Sequence, residues 1–241
     1  MTKNPPDYAG AIAKVKEAEA LPNPTPYDSF KMKDMEYQYE AVSGDYAAAA
    51  AAAEAAFQTN QWAPEDKPRL LKALVELFHA TKDDTKAQTY AEQYLKEVGP
   101  DLEIQSISVD ISRLKGDYAK ALAGAQDLIS KAKASNTPIK EPWWQLLLLS
   151  ASGARNEDAV MTALYGLAED YPSKDVWHDL AGRLYNKPNR TNLYALSCLR
   201  LMDAAGAVST SEEMLSIAQL ALTVGLPGEA KQVIKAGEAS G

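Results

Sequence analysis

The string Gly44-Asp45-Tyr46-Ala47 returns as Gly116-Asp117-Tyr118-Ala119, and a shorter Asp7-Tyr8-Ala9 stands near the N-terminus. Each copy follows a helix-like segment and opens an alanine-rich one. A phrase that recurs in this setting constrains the chain more than its composition does. It predicts a stack of small hairpins, each burying its apolar face against its neighbours, and not one globule. With Gly44 as a phase marker, an alanine follows five residues later, at Ala49. The same step joins Lys82 to Ala87, Gly116 to Ala121, Ala154 to Ala159, Arg190 to Ala195, Gly225 to Ala230 and, at the start, Pro6 to Ala11. Successive markers are spaced by 38, 38, 34, 38, 36 and 35 residues.

The segments between the markers carry helical periodicity. Leu71-Leu74-Val75-Phe78, Trp143-Leu146-Leu147-Ser150, Trp177-Leu180-Ala181-Leu184 and Met214-Ile217-Ala218-Ala221 each place residues at i, i+3, i+4 and i+7, one buried stripe of a first helix. Met32-Met35-Tyr39 is a weaker copy. The alanine that follows sits in a second helix, where two helices approach closely only if the side chain is small. The alanine run 47–53 reads the same way, since alanine favours helix and adds no bulk. Pro64, Pro138 and Pro172 stand where helices are expected to begin. Ser209 and Ser211, followed by Glu212 and Glu213, suit another N-terminus. Gly44, Gly99, Gly116, Gly153, Gly206 and Gly225 stand where helices are expected to stop. No segment alternates as a strand does.

A period near 34 residues built on helix-turn-helix units resembles the tetratricopeptide superfamily. The likeness runs over nearly the whole chain and is closer to exported proteobacterial tetratricopeptide proteins. Residues 11–20 (AIAKVKEAEA) resemble that group's opening second helix. Residues 171–177 (YPSKDVW) resemble its Tyr-Pro junction, and residues 218–231 (AQLALTVGLPGEAK) its last hairpin. The resemblance implies an all-α, right-handed α-solenoid of stacked antiparallel helix pairs, about six and a half repeats in one array. The units expected are 1–25 (a half unit), 26–62, 63–98, 99–137, 138–171, 172–207 and 208–241. It also implies a periplasmic or exported setting, with no catalytic residues and no cofactor. Ser108 and Ser112 depart from the pattern, because larger apolar residues are usual there, and a looser third unit is expected.

The 241 residues carry a net charge of −8, and 46% of them are hydrophobic. That balance suits a packed protein and argues against nucleic acid, whose phosphates need clustered Lys and Arg. No apolar run approaches the roughly 20 residues of a membrane span. Met1-Thr2-Lys3-Asn4 leads straight into prolines without an apolar signal segment, and a half unit follows at once. The start therefore reads as a cut within a longer array: exported if a signal segment was removed, cytoplasmic otherwise. The single cysteine, Cys198, excludes an internal disulfide and reads as a small buried hydrophobe.

In such stacks the first helices line a concave surface, and each inward stripe is followed by groove positions. The phase nominates Lys72, Glu76 and His79; Ser106, Asp110 and Arg113; Trp144, Leu148 and Ala151; His178, Gly182 and Tyr185; and Leu215, Gln219 and Leu222. Adjacent helical residues lie about 100° apart, so Trp143 and Trp144 cannot share a stripe. Either Trp143 fills the buried position and Trp144 anchors a partner, with Leu148 one turn on, or both belong to the core. Unfolding on Trp144→Ala would favour the core.

Catalysis has no constellation to rest on. His79 and His178, the two histidines, lie far apart and lack metal-site company. No phosphate loop or nucleophile elbow occurs. The expectation is a non-catalytic scaffold that holds a peptide or helix of a partner protein in its groove. Self-assembly through the solenoid ends, and service as an accessory domain of a longer enzyme, are the alternatives. No metal and no membrane span are expected.

Overall fold

The computed structural model describes residues 7–240, and the marker at Pro6, the Met1 start and Gly241 lie outside them. Among the described residues the chain is all helical: α1 (Tyr8–Glu19), α2 (Pro26–Ser43), α3 (Tyr46–Gln58), α4 (Lys67–Ala80), α5 (Asp84–Glu97), α6 (Leu102–Leu114), α7 (Tyr118–Ala134), α8 (Glu141–Gly153), α9 (Glu157–Asp170), α10 (Lys174–Tyr185), α11 (Asn192–Ala204), α12 (Ser211–Thr223) and α13 (Pro227–Ser240). The helices pair as hairpins α2/α3, α4/α5, α6/α7, α8/α9, α10/α11 and α12/α13, with α1 packed on α2. This is an α-solenoid of helix pairs. Two compact units divide it, residues 1–137 and 138–241.

The recurring phrase is turn chemistry. Gly44, Lys82, Gly116, Arg155 and Gly225 all adopt positive φ, between 54° and 93°. In four of those turns the next residue caps the following helix, its side chain accepting the N–H three positions on: Asp45 from Ala48 (3.0 Å), Asp83 from Lys86 (3.1 Å), Asp117 from Lys120 (3.1 Å) and Asn156 from Ala159 (3.0 Å). Asp7 does the same for Gly10. A left-handed residue that ends one helix and an Asx cap that starts the next reverse the chain in two residues.

The turns also explain where the sequence phase slips. Gly153 is the last residue of α8, and the left-handed position falls on Arg155. Counted from the cap, the position held by Ala49, Ala87 and Ala121 in other hairpins is Val160 in α9, and Ala159 is its neighbour. That shift of one residue turns α8 by about 100°. Trp144, not Trp143, takes the place that Leu71 holds in α4. Two smaller differences concern helix starts and α2. Pro138 and Pro172 precede their helices by two or three residues and Pro64 opens a 3-10 turn, while Pro26, Pro68 and Pro142 occupy first turns. In α2, Met35 is 43% exposed, and the buried stripe is Phe30, Asp34 and Tyr37 instead.

Each unit has its own core. In the first, Phe30 and Tyr37 of α2 pack with the alanines of α3 and with Leu70, Leu74, Leu77 and Phe78 of α4. The alanine run works as expected: Ala49, Ala50, Ala52 and Ala53 are buried between α2 and α4. A second cluster sets Ile104 of α6 among Leu71, Val75, Ala91 and Tyr94. Ser108 and Ser112 line an open cleft of about 410 Å³ among α5, α6 and α7. In the second unit, Ala181, Leu196, Leu199, Met202, Ile217, Ala218, Ala221 and Ala230 close around one another. Cys198 is buried, and burial pushes its thiol above the ordinary value, as suits a small packing residue.

Candidate partner-binding surfaces

A first helix packs on both flanks, so the residues left on its free side recur at i, i+4 and i+7. In the first unit those residues are Lys72, Glu76 and His79 on α4 and Ser106, Asp110 and Arg113 on α6, two helices that touch directly. Their chemistry is ionic and largely satisfied from within. Arg69 donates to Asp34 at 2.8 Å and also to the Tyr37 hydroxyl. Lys72 reaches Asp101, the N-cap of α6, at 3.2 Å. His79 stands 3.5 Å from both Asp84 and Asp110, and Asp110 in turn takes Arg113 at 2.7 Å.

Glu76 is the exception on this face. Its side chain reaches solvent, yet burial by the protein around it pushes its carboxyl above the ordinary carboxylate range. Lys72 pulls the other way and does not cancel the effect. Burial also opposes the charge of Lys72, but Asp101 outweighs it and holds the ammonium above the ordinary lysine value. The arrangement can meet a partner with charge that is already oriented, at little cost in ordering long side chains.

The second unit differs. Trp144 is 3% exposed and Ala151 is fully buried, so neither lines a surface, and Leu148 is half-buried. The indole N–H of Trp144 donates to Asp170 at 2.8 Å, and its ring lies flat on α9 where Gly166 has no side chain. A Cβ there would stand 2.4 Å from the ring. The one-residue phase shift is the cause, and it makes Gln145, Leu149 and Ser152 the free face of α8. All three are exposed, Leu149 by 51%. The N-cap Asn156 was the signal in the sequence that would have found them.

On α10, His178 bonds Glu213 of α12 at 2.7 Å, Gly182 faces open space, and Tyr185 lies under the Arg190 guanidinium, 4.3 Å from the ring centre. On α12, Leu215 and Leu222 are more than half exposed on either side of the exposed Gln219. The face of the first unit is therefore dominated by charge, while that of the second sets exposed leucines among polar groups. Among the described residues no three His, Cys, Asp or Glu are placed to hold a metal, and no helix is long and apolar enough to cross a membrane.

No protein-family profile matches the chain, and no curated protein does. Solved structures do. A tetratricopeptide repeat protein from Parabacteroides merdae superposes with a TM-score of 0.57 over 98% of this chain and 87% of its own, at 14% identity. The fold is that of a tetratricopeptide repeat protein. PilW, a widely conserved type IV pilus biogenesis factor, matches 87% of this chain and 92% of its own at 15% identity, with a TM-score of 0.49. Counted from the left-handed turn residues, the free faces of α4, α6, α8 and α12 come from the same positions. The fold sets where a partner can touch; the residues described above set what it meets there.

Proposed function

We propose that this protein is a non-catalytic scaffold that binds a peptide or helix of another protein along its first-helix faces. The observation that carries this reading is the contrast between two kinds of surface on one repeating register. In the first unit, Lys72, Glu76, His79, Asp110 and Arg113 form a charged network oriented in advance. In the second, Gln145, Leu149, His178, Tyr185, Leu215, Gln219 and Leu222 form a mixed polar and apolar set. Side chains held in place before contact lose less entropy on binding, and exposed leucines beside polar neighbours supply apolar area.

The fold adds support, since stacked hairpins offer long preformed surfaces to extended or helical segments. Photo-crosslinking residues placed one at a time at Glu76, Leu149 and Gln219 are expected to capture a partner polypeptide. Residues placed at Ala51 and Lys231, on second helices, are expected to capture none. Capture spread evenly over all five positions, or absent from the first three, would sink the proposal.

A further inference from the structure

The cleft of about 410 Å³ among α5, α6 and α7 lies within the first unit, and its walls include Leu95, Gln105, Ser108, Ser112, Lys120 and Gly124. One hairpin earlier, among α3, α4 and α5, the same place is solid. Counting from the left-handed turn residues Gly44, Lys82 and Gly116, Leu95 stands in place of Phe57, Gln105 of Leu71, Ser108 of Leu74, Ser112 of Phe78 and Gly124 of Tyr90. In the earlier hairpin the rings fill the space: Tyr90 stacks on Phe78 with centroids 5.8 Å apart and meets Phe57 edge-on at 6.0 Å. Three rings and two leucines are thus missing together, and no aromatic residue occurs between Leu95 and Asp117 to replace them. The helices cannot close the gap by approaching, because a Cβ on Gly124 of α7 would already stand 2.6 Å from Val109 of α6.

The cation that covered those rings is kept. Lys86 lies 4.8 Å from the centre of the Phe78 ring and is held by Glu54 at 2.7 Å. Lys120 has the same place in α7, exposed at the border of the cleft. Glu92 stands in place of Glu54 but takes Gln88 at 2.7 Å. The remaining polar groups of the wall are spent within the protein. Gln105 donates to Asp127 at 2.7 Å, Lys131 pairs with Asp127 at 2.6 Å, Ser108 donates to Gln88 at 3.1 Å, and Ser112 donates to the Ser108 carbonyl at 3.0 Å. An incoming molecule meets one ammonium and a space that the neighbouring hairpin fills with rings. An ammonium is drawn to the face of an electron-rich ring, and the volume is that of a small-molecule site. We propose that this cleft binds a free, electron-rich aromatic molecule of one or two fused rings, with one face toward Lys120 as Phe78 has toward Lys86. None of the free-face residues of α4 or α6 lines it, so this site stands whether or not that face binds a protein.

The probe is indole, titrated into the full-length protein and followed by amide chemical shifts. Saturable shifts centred on Ser108, Ser112 and Gly124 are expected. Ser108→Leu combined with Ser112→Phe restores the residues of α4 and fills the cleft, and is expected to weaken indole binding about tenfold or more while raising the melting temperature. Lys120→Met leaves the space open and is expected to weaken binding about threefold at an unchanged melting temperature. Phenol is expected to bind more tightly than cyclohexanol, which has its size and hydroxyl but no aromatic ring. Absence of saturable shifts, binding indifferent to the filled cleft and to Lys120→Met, or equal binding of phenol and cyclohexanol overturns the proposal. A blocked Gly-Trp-Gly peptide that binds tenfold more tightly than indole overturns it as well, and assigns the cleft to a side chain of another polypeptide.

Discussion

The turn residue decides more here than any core residue does. Left-handed backbone is open to glycine and costs other residues about 1–2 kcal/mol, yet the turn after α4 uses Lys82, at φ 63°. Lys82 is exposed and anchors nothing among the described residues. Lys82→Gly is expected to stabilise the protein by about 0.5–1 kcal/mol, less than the backbone cost because glycine also frees the unfolded chain. Gly44→Ala is expected to do the reverse by a similar amount, and urea unfolding of the pair checks both signs. Glu76 makes a second residue-scale test. Its folded carboxyl titrates above the ordinary value of 4.5, so the folded state binds the proton more tightly than the unfolded state does. Stability then falls as pH rises through the gap, and the penalty is complete above the folded pKa. Glu76→Gln is expected to raise the melting temperature at pH 7, with the gain shrinking to nothing below about pH 4.5. A gain that persists in acid would point to packing instead of charge.

At the scale of a helix pair, α8 and α9 show what the sequence carried and what it hid. Pairing and order of the helices were legible because alanine and the Gly-Asp-Tyr phrase are local signals, and the buried alanines sit where they were expected. The rotation of α8 was not, because the alanine rule picks Ala159 while the cap picks Asn156, and only the cap fixes the backbone. One residue of error is harmless to topology, and it moves a tryptophan from surface to core. In the hairpins of α4 and α6 the left-handed turn residue and the buried alanine agree, so no such rotation arises there.

The packing of Trp144 on Gly166 is directly testable. Gly166→Ala puts a methyl group against a ring that is held by its bond to Asp170, and overpacking of this kind costs about 1–3 kcal/mol. A loss under about 0.5 kcal/mol would mean that the ring can move aside. The same helix pair holds the opposite case. The hydroxyl of Ser150 is fully buried and has no hydrogen-bond partner among the described residues. Ser150→Ala is expected to stabilise the protein by about 1 kcal/mol in the same unfolding assay, since a lone buried hydroxyl is destabilising.

A molecule made of hairpins stores its stability in nearest-neighbour contacts, so damage should stay where it is made. Leu74 is fully buried in the cluster that joins α2, α3 and α4. Leu74→Ala leaves a cavity there and is expected to cost about 2–5 kcal/mol. In a globule that loss would lower protection everywhere by the same amount, because global unfolding exposes every amide. In a chain of stacked hairpins the first unit can open while α12 and α13 stay closed, since the cluster around Ile217 and Ala221 contains no residue of the first unit. Hydrogen exchange followed by mass spectrometry separates the two cases. Peptides from α2 to α5 are expected to exchange faster in Leu74→Ala, and peptides from α12 and α13 are expected to keep their rates. Equal acceleration in both would mean that the chain unfolds as one cooperative body, and the two first-helix faces could then be coupled through stability.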